Sequence, residues 1–494
     1  MQPAHRIAGG AVLAGLGLAL ARLPLVWTAA AVVGALAGAL LWRHPRWALV
    51  ALILVIPFSP LVSVELARVR VGGMEALLAL VLGAWLVRMA VRGQIVVPRA
   101  PLSLPWLAWL GIVLASWLVA LSLGAAIPET LKWAEMLALY LFTFARLERR
   151  DLPRLVMALL TAGAAQAALG LYQSLWQAGP KGFVLVEGQF LRAYGTFQQP
   201  NPFAGYLGLI FPLAFSLALW SVGNHLARPK PLPTPHSPLP TPHSLLPTPY
   251  PLLLTPYFLL PASALILAGA YASQSRGAWL GLAAGMVVVS AVRSRRAAIL
   301  FALVGAFLAT LLVLGGLGWL PAPVSQRFAE VLPVANIPNL ATAEVTDANF
   351  PAIERLAHWQ AALDMWRDHL WLGVGIGNYP AVYPAYAIGR WSDALGHAHN
   401  FYLNVAAETG LIGLLAYAAL WLSALWLAWG AIRRSQGAWR AVAVGCLGSL
   451  VHLSVHNLVD DLFVQGMYLQ VAITLAMLAI LRRDALSPRP DYPR

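Results

Sequence analysis

Three short segments of this chain gather polar side chains of the kinds that handle phosphate and move protons. The first is Leu191-Arg192-Ala193-Tyr194-Gly195-Thr196-Phe197-Gln198-Gln199-Pro200-Asn201-Pro202. The second is Ser273-Gln274-Ser275-Arg276-Gly277, and the third is Gly396-His397-Ala398-His399-Asn400. An arginine presents a planar fork that binds phosphate oxygens bidentately, so Arg192 and Arg276 together suit a diphosphate. The ordinary alternative for each is snorkelling to a lipid headgroup, but two arginines, a histidine and several amides on one side favour a site. A neutral imidazole suits a general base near neutral pH, which makes His399 the candidate. Gln198, Gln199, Asn201 and Asn400 are candidates to orient sugar or phosphate oxygens, and His397 to assist His399 or shape the loop. Two histidines with only Asp393 nearby in sequence make a poor metal set, so no metal is expected. Gly373-Val374-Gly375-Ile376-Gly377-Asn378 lacks the spacing and the preceding strand of a dinucleotide loop and reads as a tight turn.

The elements that must position these residues are membrane helices. The chain has 494 residues, 60% hydrophobic and 11% charged, against roughly 25% charged in soluble proteins. Apolar runs long enough to span a bilayer are centred near residues 14, 34, 54, 82, 112, 138, 164, 212, 263, 285, 308, 418, 448 and 473, giving about 12–14 spans. The run near 138 carries Lys132 and Glu135, which at i, i+3 can neutralise each other. The run from Ile7 to Ala21 is read as the first span rather than a cleaved leader, because a second follows at once.

The net charge of +14 comes from short basic clusters between apolar runs, such as Arg149-Arg150, Arg293-Ser294-Arg295-Arg296 and Arg482-Arg483. That is the pattern of cytoplasmic loops, and it places both termini inside, with Arg22, Arg68 and Arg70 as exceptions. No nucleic-acid partner is expected. The three polar segments then share the outer face, within loops 178–201, 273–276 and 320–401. Cys446 is the single cysteine, so no intrachain disulfide can form.

The chain divides into N-terminal spans over 1–190, a core over 191–431 and C-terminal spans with a short tail over 432–494. Within the core, residues 229–256 repeat Leu-Pro-Thr-Pro-His-Ser and close variants, a polyproline-like cytoplasmic insert that cannot pack a core. In the outer loop Pro351 suits a helix start. Ile353, Leu356, Trp359, Leu363, Trp366 and Leu370 follow at spacings of three and four, an amphipathic helix whose other face holds Glu354, Arg355, Gln360, Asp364 and Arg367. It is expected to lie on the membrane surface or cap the bundle.

His399-Asn400, nine residues, then Gly410-Leu411-Ile412-Gly413 resembles the His-(Asn/Ser/Gln)-x9-Gly-x-x-Gly signature of the O-antigen ligases, O-antigen polymerases and bacterial O-linked oligosaccharyltransferases. Arg192…Asn201-Pro202-Phe203, Ser275-Arg276-Gly277 and Gly373-Val374-Gly375 precede it in the order that family shows, so the likeness runs from about 190 to 415. It implies an all-α, GT-C-like bundle in the inner membrane. It also implies metal- and cofactor-free transfer of a glycan from an undecaprenyl diphosphate carrier to a lipid, glycan or protein hydroxyl, as in lipopolysaccharide assembly. The residues matching the family's diphosphate arginines are Arg192 and Arg276, and its proposed base matches His399. More spans and a longer outer loop than the ligases usually have keep polymerase open beside ligase. In another class, a transporter or flippase of lipid-linked sugars would show repeated halves, and none is evident.

Overall fold

Backbone amides inside a bilayer have no water to bond, so each apolar run must satisfy its own hydrogen bonds as a helix. The computed structural model describes residues 43–61, 63–66, 69–93, 97–185, 190–226, 255–313, 340–346 and 349–484. In order it contains α1 (Pro45–Val55), α2 (Gly73–Val91), α3 (Ser103–Ala115), α4 (Leu123–Arg146), α5 (Leu152–Leu175), α6 (Pro200–Leu226) and α7 (Pro256–Ala272). These are followed by α8 (Arg276–Arg293), α9 (Arg295–Val313), α10 (Phe350–Asp368), α11 (Phe401–Arg434), α12 (Gly437–His456) and α13 (Met467–Asp484). Every helix expected as a span from residue 54 onward is there. The two expected near 14 and 34, nearly all of the proline-rich insert, residues 314–339 and the last ten residues lie outside the described residues. Among the described residues, six helices are long and apolar enough to cross a membrane. Two short antiparallel hairpins, Ser63–Leu66 with Val69–Gly72 and Val184–Leu185 with Phe190–Leu191, accompany them. The protein is an all-α polytopic bundle.

Helix starts follow their cap residues. Ser122 opens α4 by accepting from Ala125 N–H, and proline occupies the first turn of α1, α7 and α10. The charges of α4 are paired otherwise than expected. Lys132 forms an ion pair with Glu129, one turn earlier, while Glu135 accepts from the Tyr468 hydroxyl of α13 at 2.8 Å. A partner on another helix compensates Glu135 better than a neighbour that already holds a closer carboxylate.

The centre of the bundle is α6 against α12, α8 and α7. Small residues set the approach, as expected where lipid offers no hydrophobic drive between helices. A Cβ on Gly445 would lie 2.6 Å from the Leu213 Cα, and one on Gly285 would lie 2.9 Å from the Gly448 carbonyl. A second contact is aromatic: Trp109 of α3, Trp133 of α4, Phe401 and Tyr417 of α11, and Phe463 before α13 meet edge to face or tilted, with ring centres 4.7–6.4 Å apart.

The long connection between α9 and α11 is fastened to α11 by backbone. α11 is broken at Gly410, whose φ of 67° and ψ of −167° are not helical. Past the break, Leu411 N–H donates to the Leu370 carbonyl at 2.7 Å and Ile412 N–H to Trp371 at 3.3 Å. In return Val374 N–H donates to Ala407 and Gly375 N–H to Glu408, both at 2.9 Å. The Gly373–Asn378 segment is the tight turn expected, with positive φ at Gly373, Gly375 and Gly377. Asn378 carries it onto the entrance of α4, accepting from Ser122 N–H at 2.6 Å, and Glu408 accepts from Tyr379 N–H at 3.0 Å.

α10 caps α11, but it turns a different face inward than its large apolar residues indicate. The buried side chains are Ile353, Ala357, His358, Ala361, Ala362 and Met365. Leu356, Trp359, Leu363 and Trp366 are half-buried, and Leu370 is exposed. The alanine stripe lets the Tyr379–Tyr383 turn come close, which bulkier residues would prevent.

A methyl group at Gly410 would sit 2.2 Å from the Trp371 carbonyl carbon, where only backbone could yield. Gly437 also has positive φ, 55°, but open space around it. Gly410→Ala is therefore expected to lower the unfolding temperature in detergent well beyond Gly437→Ala, which carries only the backbone penalty of about 1 kcal/mol. Equal losses for the two would mean that the interlock does not hold the connection in place.

Candidate functional site

All three polar segments reach the same end of the bundle, where α6, α8 and α11 begin and α12 ends. The first is braced from α5. Gln173 Oε1 accepts from Gly195 N–H at 2.7 Å and Tyr194 N–H at 3.2 Å, and Gln166 Oε1 accepts from Thr196 N–H at 3.1 Å. The segment is tied to the second through Ala193 N–H to the Ala272 carbonyl, 3.0 Å. This fixes Arg192, whose Nε donates to the Ser273 carbonyl at 2.8 Å and whose Nη2 donates to Asn201 Oδ1 at 3.0 Å. Asn201 thus stands beside Arg192, whereas Gln198 and Gln199 lie exposed on the turn before α6.

Arg276 is the first residue of α8, capped by Ser275, whose hydroxyl accepts from Ala278 N–H. It is exposed, and the helix start beside it adds unpaired N–H groups and partial positive charge. Gly277 has no Cβ, which lets this start rest on His456, whose Cδ2 would lie 2.8 Å from one.

His399 stands in the left-handed region at φ 51°, uncommon for a residue with a Cβ. Its neighbours over-determine that conformation. His399 N–H donates to His397 Nδ1 at 3.0 Å, and the Trp359 indole donates to the His399 carbonyl at 3.2 Å. Ala398 N–H donates to Asn404 Oδ1 at 3.1 Å. Asn400 is the N-cap of α11, its Oδ1 accepting from Tyr402 and Leu403 N–H at 3.0 and 3.1 Å. Asn, Ser and Gln at this signature position thus share an acceptor for a helix start, and for Asn400 only the amide nitrogen remains to meet a substrate. Phe401 N–H reaches the Asn457 carbonyl at 2.9 Å, anchoring the motif on the turn after α12. Both ring nitrogens of His399 are buried and without a partner.

Around that ring, besides the expected His397, stand groups that the sequence did not single out. His358 of α10 lies 5.5 Å away, centre to centre, and His397 4.5 Å. Buried Asp460 brings a carboxylate oxygen into a set with one nitrogen each of His397 and His399, all within 4.8 Å of one another. Arg355 of α10, one turn before His358 and Trp359, has a buried Nε without a partner. The Arg355, His358, Trp359 stripe was legible as helical spacing once Arg355 was not assigned to a solvent face. Asp460 had no local signal beyond being one of only 19 acids.

The electrostatics are one-sided. Burial, and then the charges of Arg355 and Arg276, push Arg192 down to about 10. Burial, and then His397, Arg355 and His358, push His399 down to about 2. Burial and His397 push His358 down to about 4, against Asp393. Among the described residues no ion pair joins Arg192, Arg276 or Arg355 to a carboxylate. Such an arrangement attracts a multivalent anion. His397, His399 and Asp460 can offer ligand atoms to a metal, but His397 Nδ1 already accepts a backbone N–H and Arg355 repels a dication.

Comparison with known families agrees with the signature. A search of curated proteins found no match. Residues 261–418 match the family model described as O-antigen ligase, a segment that holds Arg276, α10, His399-Asn400 and Gly410…Gly413 and leaves Arg192 outside. The chain is a multi-pass membrane protein whose residues 261–418 are similar to the O-antigen ligase family.

Proposed function

We propose that this protein transfers a glycan from an undecaprenyl diphosphate carrier to an acceptor hydroxyl, with inversion and without a metal, at the outer face of the inner membrane. The observation that carries the reading is the His399 ring: both nitrogens are buried and, among the described residues, unpartnered, beside arginines that form no ion pair with a carboxylate there. Arg192 and Arg276 hold the diphosphate. The acceptor oxygen attacks the anomeric carbon on the face opposite the diphosphate, and its proton passes to His399. The bond from that carbon to the phosphate oxygen breaks with its electron pair on the oxygen. His399 becomes imidazolium as the leaving group gains a negative charge, so charge balances. Asp460 stands where it favours the imidazolium. Burial and Arg355 keep His399 neutral before the donor arrives, and the donor's negative charges offset Arg355 and strengthen the base. The acceptor is an alcohol on lipid core, on a growing polysaccharide or on a protein. The long connection before His399 favours the polymerase form of the reaction beside the ligase form.

Reconstituted with an undecaprenyl diphosphate glycan and these three acceptors, the protein is expected to give one product of summed glycan and acceptor mass. His399→Ala should keep donor binding and lose at least about 100-fold in transfer; undiminished transfer would take His399 out of the mechanism. The group that must be neutral has a lowered pKa, so its neutral form persists as pH falls. The acid limb of kcat/KM is accordingly expected below the 6.5 of free imidazole. A limb at or above that value contradicts the electrostatic account. Incubation with EDTA should leave the rate unchanged, whereas loss restored by a divalent ion would make His397, His399 and Asp460 a metal site.

A further inference from the structure

The amphipathic helix α10 is accounted for as a cap by its buried alanine face, yet Arg355 is not explained by capping. It is partly buried, its Nε is enclosed and unpartnered, and its Nη1 donates only to the Pro351 carbonyl of its own helix, at 2.9 Å. Leaving a buried guanidinium donor unsatisfied is costly, and Glu354, the adjacent acid in sequence, makes no ion pair with it among the described residues. Its place relative to the reacting groups is fixed by the next turn of the helix. His358 faces the His399 ring at 5.5 Å, and the Trp359 indole holds the His399 carbonyl at 3.2 Å. Arg192 lies in the segment between the strand Phe190–Leu191 and α6, and Arg276 begins α8; Arg355 alone of the three is carried by α10, which touches His399.

We propose that Arg355 is a third cation of the diphosphate site, placed on the sugar side, where it stabilises the charge that appears as the glycosidic bond breaks. This rests on the reading of the protein as a transferase acting on a polyprenyl diphosphate donor. A diphosphate esterified at both ends carries two negative charges, which two arginines can meet. Cleavage at the anomeric carbon leaves the electron pair on the terminal phosphate oxygen, and the leaving diphosphate carries three. The third guanidinium matches the third charge. A group that interacts more strongly with the leaving state than with the bound donor lowers the barrier without tightening donor binding. After burial, the Arg355 charge acts on both Arg192 and His399, so Arg355 stands within electrostatic reach of the phosphate-holding arginine and of the base.

The test compares Arg355→Gln and Arg355→Lys with the wild-type protein in lipid nanodiscs. Steady-state and single-turnover transfer are measured with an undecaprenyl diphosphate glycan, and binding is measured separately for undecaprenyl diphosphate and undecaprenyl monophosphate. Arg355→Gln is expected to lower kcat by roughly 100-fold or more with donor KM changed by less than about 3-fold. It should weaken undecaprenyl diphosphate binding by about 10-fold or more while leaving the monophosphate nearly unaffected. Arg355→Lys, which keeps the charge and loses the fork, should fall between and also guards against a folding defect in the glutamine variant. A kcat within about 3-fold of wild type, or a loss confined to KM, overturns the role of Arg355. In that case Arg192→Gln and Arg276→Gln still lose donor binding if the transferase reading holds. Wild-type protein that neither transfers from this donor nor binds undecaprenyl diphosphate overturns the transferase reading and this proposal with it.

Discussion

The backbone exchange across the break in α11 is the contact on which the site depends. A helix that ran straight through Gly410 would satisfy its own amides and leave the Leu370–Gly375 segment without partners. Because Gly410 takes a conformation closed to other residues, Leu411 and Ile412 turn to Leu370 and Trp371, and Val374 and Gly375 turn to Ala407 and Glu408. Four hydrogen bonds thereby join two parts of the chain. α10 is then held over the start of the same helix, where Asn400 caps the first turn and His399 is forced into a left-handed conformation. The glycine and the histidine of one signature, Gly410 and His399, are thus parts of one device, eleven positions apart.

The second constraint is charge. In a chain with more than three basic residues for every two acidic ones, most arginines sit in clusters at span ends. Arg192, Arg276 and Arg355 come from three separate parts of the chain and approach one another without, among the described residues, an ion pair to a carboxylate. Such convergence is unfavourable, and after burial, the larger cause, it weakens the hold of Arg192 on its proton. An anion that enters relieves it, and the relief supplies part of the binding. Burial, His397 and then Arg355 hold His399 neutral, so one charge, that of Arg355, acts on both Arg192 and His399.

Much of this was legible in the sequence. Helix positions follow from apolar runs, because in lipid the backbone has no other solution, and the three polar segments stand out because the rest of the chain is so poor in charge. The inward face of α10 was not legible. Large apolar residues normally mark a buried stripe, but here the neighbour is a backbone turn and a tyrosine pair, and alanine is what fits against them. Lys132 illustrates the same limit. Its pairing with Glu129 instead of Glu135 depends on Tyr468, more than three hundred residues away. Asp460 joins His397 and His399 only because Phe401 bonds the turn after α12. Contacts of that range leave no periodicity to read.

The stapled cap also bears on how a long lipid could come and go. A flap on a hinge can lift; α10 cannot rise without unzipping backbone bonds in α11 itself, the helix that presents His399. Under the proposed function, traffic to His399 passes beneath a fixed roof, sideways between helix ends. The half-buried Leu356, Leu363 and Trp366 of α10 would then be the eaves of that roof, apolar enough to let an isoprenoid tail slide past.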